Sequence, residues 1–74
     1  MNKFDIINKL QDASIHTSKS TDIFIDVNKV LIGEAEKDPN NADIGTIETI
    51  TNLATEAQEL TQKILEFTNK LLLS

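Results

Sequence analysis

Apolar residues in the second half of the chain recur with helical spacing. Ile50, Leu53, Ala57, Leu60, Ile64, Phe67 and Leu71 follow one another at intervals of 3, 4, 3, 4, 3 and 4 residues. This is the heptad pattern of a coiled-coil seam, with 50, 57, 64 and 71 sharing one position. Glu48, Glu56, Glu59, Lys63, Glu66 and Lys70 lie off the seam. The pattern predicts a helix over about 43–72.

The first half keeps a similar register with less apolar content. Ile6, Leu10, Ala13, Thr17, Ser20, Phe24, Val27 and Leu31 alternate at intervals of 4 and 3 residues, straight through the polar stretch Ser14–Asp22. The unbroken register favours one helix over about 3–36, opened by Asn2 with Asp5 as an N-terminal cap. The rival is two shorter helices, the second capped by Ser20, Thr21 or Asp22. A strand across Ile23–Val27 would have no second strand to pair with.

Between the halves lies Asp38-Pro39-Asn40-Asn41, and both glycines and the single proline fall within Gly33–Gly45. Proline removes a backbone donor and disfavours helical geometry at the residue before it. The expected fold is therefore all-α. It is an antiparallel two-helix hairpin with its turn at about 37–42, forming one domain over 1–74.

Each helix carries more apolar surface than one neighbour can cover. Phe4, Ile25 and Ile32 share a second heptad position on the first helix, and Ile44, Leu65 and Leu72 share one on the second. Ile23 and Val30 flank the first seam. Ordering a chain of 74 residues costs on the order of 100 kcal/mol in conformational entropy, and a lone hairpin has little interior to offset it. The expectation is that other chains complete the hairpin into a bundle or helical assembly. The interaction seam would comprise Leu10, Phe24, Val27 and Leu31 with the heptad residues of the second helix. Phe4, Ile25, Ile32, Leu65 and Leu72 would form a second interface.

Polar residues at or beside the first seam (Thr17, Ser20, Thr21) either restrict register and partner choice or mark a solvated middle section. Four of the eight threonines, Thr46, Thr49, Thr51 and Thr55, fall early in the second helix. Threonine is a mediocre helix former, so this part is expected to need association.

Charge narrows the partners. Twelve acidic residues stand against seven basic ones, for a net charge of −5, and every basic residue is lysine. Nucleic acid binding needs a basic patch and favours arginine, so it is not expected; nor is an anionic membrane surface. No apolar run exceeds three residues, as at Leu71-Leu72-Leu73, so membrane insertion is not expected. Met1–Leu10 lacks the continuous apolar core of a signal peptide. The expected location is the cytoplasm, or outside it by export without a cleaved signal peptide. Ten isoleucines and seven asparagines, with lysine to the exclusion of arginine, suggest an AT-rich genome.

Chemistry is sparse. Without cysteine there is no disulfide framework and no thiolate metal site. His16 can be grouped on paper with Asp12 and Ser14 or Ser20, but on one helix these side chains would face solvent without a pocket. Glu34–Asp38 and Asp38–Asp43 do not match the ligand spacing of a calcium loop. No phosphate or dinucleotide fingerprint is present. No catalytic, cofactor or metal residues are expected, and an enzyme is not expected.

The segment Lys37-Asp38-Pro39-Asn40-Asn41-Ala42-Asp43-Ile44 resembles the interhelical turn of type III secretion needle subunits. The resemblance covers these eight residues and the two-helix layout. It implies a bacterial subunit that self-assembles into a helical secretion tube, with Pro39 and Asn40 in the turn. Many members of that family carry a second proline where this chain has Ala42, and a tyrosine-containing segment, whereas this chain has no tyrosine. Small helical co-chaperones of the same systems share the length and hairpin layout. The expected function is thus a non-enzymatic structural or interaction protein acting by helix–helix association. The alternative is a small acidic inhibitor or immunity-type regulator that covers a partner protein.

Overall fold

Asn2 opens the first helix. Its Oδ1 accepts from the Asp5 amide at 3.0 Å, and Asp5 Oδ2 accepts from the Asn2 amide at 3.3 Å, a reciprocal capping box. The computed structural model describes residues 1–74. In it α1 runs without interruption from Lys3 to Lys37. The polar stretch does not break it, and its hydroxyls turn back onto carbonyls of the same helix: Ser14 donates to the Gln11 carbonyl, Ser20 to His16 and Thr21 to Thr17.

The turn is held by its own polar groups. Asp38 ends α1, its amide bonding the Glu34 carbonyl at 3.0 Å, and Pro39–Asn41 form a single 3₁₀ turn. Asn41 Nδ2 donates to Asp38 Oδ2 at 2.7 Å. Asp43 then caps α2, which runs from Ile44 to Leu73. Its carboxylate accepts from the Thr46 hydroxyl at 2.7 Å and the Thr46 amide at 3.0 Å. These two bonds, the hydroxyl's foremost, hold the Asp43 carboxyl below its ordinary pKa.

The two helices lie antiparallel in a rod of 56 × 15 × 14 Å. The Thr17 and Thr61 hydroxyls are hydrogen-bonded across it, and Lys3 Nζ donates to the Ser74 carbonyl at its open end. The radius of gyration is 16.9 Å, against about 11 Å for a compact chain of this length.

The seam between α1 and α2 differs from the sequence expectation by one heptad position. On α1 it consists of Ile7, Leu10, Ser14, Thr17, Thr21, Phe24, Asn28 and Leu31; on α2 of Ile47, Ile50, Ala54, Ala57, Thr61, Ile64, Thr68 and Leu71. The column Leu10, Thr17, Phe24, Leu31 and the column Ile50, Ala57, Ile64, Leu71 are common to both readings. The second column on each helix is replaced. Ile6 and Val27 give way to Ile7 and Asn28, while Leu53, Leu60 and Phe67 give way to Ala54, Thr61 and Thr68. Leu60 stays 48% exposed and Phe67 53%. Hydrogen bonding favours this register. It joins Thr17 to Thr61 and lets Asn28 Nδ2 donate to Thr51 Oγ1 at 2.8 Å and to the Ile47 carbonyl at 3.4 Å.

Little is enclosed. Ile7, at 3% exposure, is the one buried hydrophobic residue; Ser14 and Thr68 are the other buried residues. Ile7→Ala should therefore cost about 2–5 kcal/mol. At equal low concentration, Phe67→Ala should cost about 1 kcal/mol or less. Urea titration followed by ellipticity ranks the two, and the opposite order would return Phe67 to the seam. The Thr17–Thr61 pair gives a second prediction. Both hydroxyls also contact a carbonyl of their own helix, Ser14 and Ala57 respectively, so two protons serve three contacts. Replacing both by valine should leave stability unchanged or higher, because no buried hydroxyl is orphaned. A loss above about 2 kcal/mol in the same titration would show that the pair holds the middle of the rod.

Candidate association surfaces

With the seam centred where it is, the remaining large apolar residues fall on two opposite flanks of the hairpin. One flank collects the residues that the rotated register leaves outside. Taken from the open end toward the turn, it reads Ile6, Phe67, Ala13, Leu60, Ser20, Leu53 and Val27, alternating between the helices. This order follows from setting Thr17 opposite Thr61 in an antiparallel pair. Ile23 and Val30 extend it outward on α1, at 53% and 62% exposure. Ile6, Val27, Leu53, Leu60 and Phe67 are all exposed.

The other flank holds Phe4, Ile25, Ile32, Leu65 and Leu72, the residues expected to form a second interface, together with Ile44. All are exposed. One shallow depression is bordered by Ile15 and Ser18 of α1 and Leu65 of α2, another by Ile32 of α1 and Ile44 of α2. These depressions place the two helices' second stripes on the same side of the rod. Polar residues separate the apolar clusters at its two ends: Gln11, Ser18, Thr51 and Gln58, all exposed. This flank is therefore less continuous than the first.

The surface is large for the mass. A folded chain of 8.2 kDa exposes about 4,500 Å² by the usual scaling. The hairpin exposes 5556 Å². The difference, roughly 1,000 Å², compares with about 800 Å² that each partner buries in a standard interface.

Charge divides along the rod on the first flank. Lys9, Lys63 and Lys70 lie toward the open end, and Glu59 and Glu66 border the same depression as Lys63. Glu56 lies near the middle and Glu34 toward the turn, with Lys37 beside it. All are exposed.

The groups considered for catalysis are not assembled. His16 is exposed, and the Ser20 hydroxyl donates to the His16 backbone carbonyl rather than to the imidazole. Ser14 is buried with its hydroxyl on the Gln11 carbonyl. No three His, Cys, Asp or Glu side chains converge on a common point. No helix is long and apolar enough to cross a membrane. Sequence reasoning missed Asn28, whose Oδ1 is buried without a hydrogen-bond partner. Its place one helical turn from Phe24 and Leu31 was the available signal. No protein-family model, curated protein or solved structure matches the chain.

Proposed function

We propose that this protein is a non-enzymatic association module that works by packing its helices against those of other chains. The observation that carries the reading is the contrast between one buried hydrophobic residue and two opposite apolar flanks. Scattered exposed apolar residues are normal on any protein. Here they instead repeat every seven residues along both helices, which is the arrangement of surfaces that receive further helices. The resemblance of Lys37–Ile44 to the interhelical turn of secretion-needle subunits supports a self-assembling secretion subunit as one form of this reading.

The net charge of −5 supports a different use of the surface, in which the acidic hairpin covers a basic protein. Salt separates the two. Association through apolar flanks should change little as ionic strength rises, because burial of apolar area is not screened. An acidic inhibitor should lose association rate steeply over the same range. Sedimentation velocity of the purified chain across concentration, at low and high salt, should show assembly that persists in high salt. Assembly that disappears on adding salt would contradict the apolar reading, and a purified chain that stays monomeric at both salt levels would favour the acidic one.

A further inference from the structure

We infer that the occupant of the Leu53–Leu60–Phe67 flank is a second copy of this chain, laid face to face against it and running in the opposite direction. The inference rests on the association reading above and assigns its partner and geometry.

Two observations choose a second copy. The first is area. The hairpin as a whole exposes about 1,000 Å² more than a compact chain of its mass, enough to supply the roughly 800 Å² that one protomer of a stable dimer buries. The second is the distribution of charge and size along the flank. A face-to-face pair of hairpins has two possible two-fold axes. An axis along the rod would stack the open ends, bringing Lys9, Lys63 and Lys70 of both copies together. An axis across the rod reverses one copy and separates these lysines.

The flank is self-complementary about such a crosswise axis at Leu60. Leu53 and Phe67 lie seven residues to either side of it on α2, so Leu53 of one copy meets Phe67 of the other, the smaller side chain against the larger. Glu56 and Lys63 lie four and three residues to either side. Glu56 of one copy thus approaches Lys63 of the other, twice by symmetry. Leu60 meets its own counterpart. On α1 the same axis sets Ala13 opposite Ile23, again small against large. Isologous contact requires such pairing of each residue with its reflected position. The result is a four-helix layer closed on one side, with Phe4, Ile25, Ile32, Leu65 and Leu72 left on the outside.

Sedimentation equilibrium on the intact chain tests this. The wild type should be a dimer. Leu53→Ser with Phe67→Ser should weaken dimerisation about 100-fold or more, whereas Ile25→Ser with Ile32→Ser should change it by about threefold or less. The reverse ranking would overturn the chosen flank while leaving an association module. A wild-type chain that is helical and monomeric at every concentration would overturn both. Charge variants keep the test decisive if the serine variants unfold, since Lys63 and Glu56 lie outside the intramolecular seam. Lys63→Glu alone and Glu56→Lys alone should each weaken self-association, and mixing the two in equal amounts should restore it. If Lys63→Glu strengthens association, the crosswise axis is wrong. The chain has no cysteine, so Leu60→Cys under mild oxidation should give a covalent dimer. Ile25→Cys should not, and a covalent dimer through Ile25→Cys alone would contradict the geometry.

Discussion

One helix can turn only a limited arc toward a single neighbour, and both helices of this chain carry an apolar arc wider than that. On α1 the arc runs from Ile6 and Val27, through Leu10, Phe24 and Leu31, to Phe4, Ile25 and Ile32. Its edges are about 160° apart at 100° per residue. On α2 it runs from Leu53, Leu60 and Phe67 to Leu65 and Leu72. The hairpin packs on the middle of both arcs and leaves both shoulders outside, on opposite sides of the rod. Shape and burial follow from that choice.

Packing on the middle also explains why the seam is so polar. In the Thr17–Thr61 alignment the α2 column Ala54, Thr61 and Thr68 lies opposite Phe24, Thr17 and Leu10, while the α1 column Ser14, Thr21 and Asn28 lies opposite Ile64, Ala57 and Ile50. Hydroxyls in these columns are satisfied by carbonyls of their own helix or by each other. Little apolar area is enclosed in exchange, so the seam aligns the helices more than it stabilises them. Asn28 fits this role, since its amide bonds Thr51 and Ile47 only when α1 and α2 stand in this alignment. The bulk of the hydrophobic residues remains available to another chain.

Much of this was legible along the chain. Asn2 and Asp5 marked the start of α1, and Pro39 with its asparagines marked the turn. The continuous register carried one helix through Ser14–Asp22, where composition alone argues for a break. The second stripes were also legible, because Phe4, Ile25 and Ile32 share a heptad position. The choice of seam was not. Leu10 and Ile64 belong to the seam in either register, so spacing fixes only one column of each helix. The 3-4 spacing of apolar residues assigns the other column to Leu53, Leu60 and Phe67. The structure instead turns inward columns whose polar groups reach across to the other helix, Thr61 to Thr17 and Asn28 to Thr51, and no local pattern reveals such partners. The grouping of His16 with Ser20 that can be drawn on paper is not formed, since Ser20 bonds the His16 backbone carbonyl and His16 is exposed.

The central claim is that the lone hairpin lacks an interior and is completed by association. Thermal unfolding followed by circular dichroism over a wide range of protein concentration tests it most directly, because association adds a term that grows with concentration. The account predicts a midpoint that climbs steadily from micromolar to millimolar chain. A highly helical chain with a sharp midpoint that does not move across that range would contradict it.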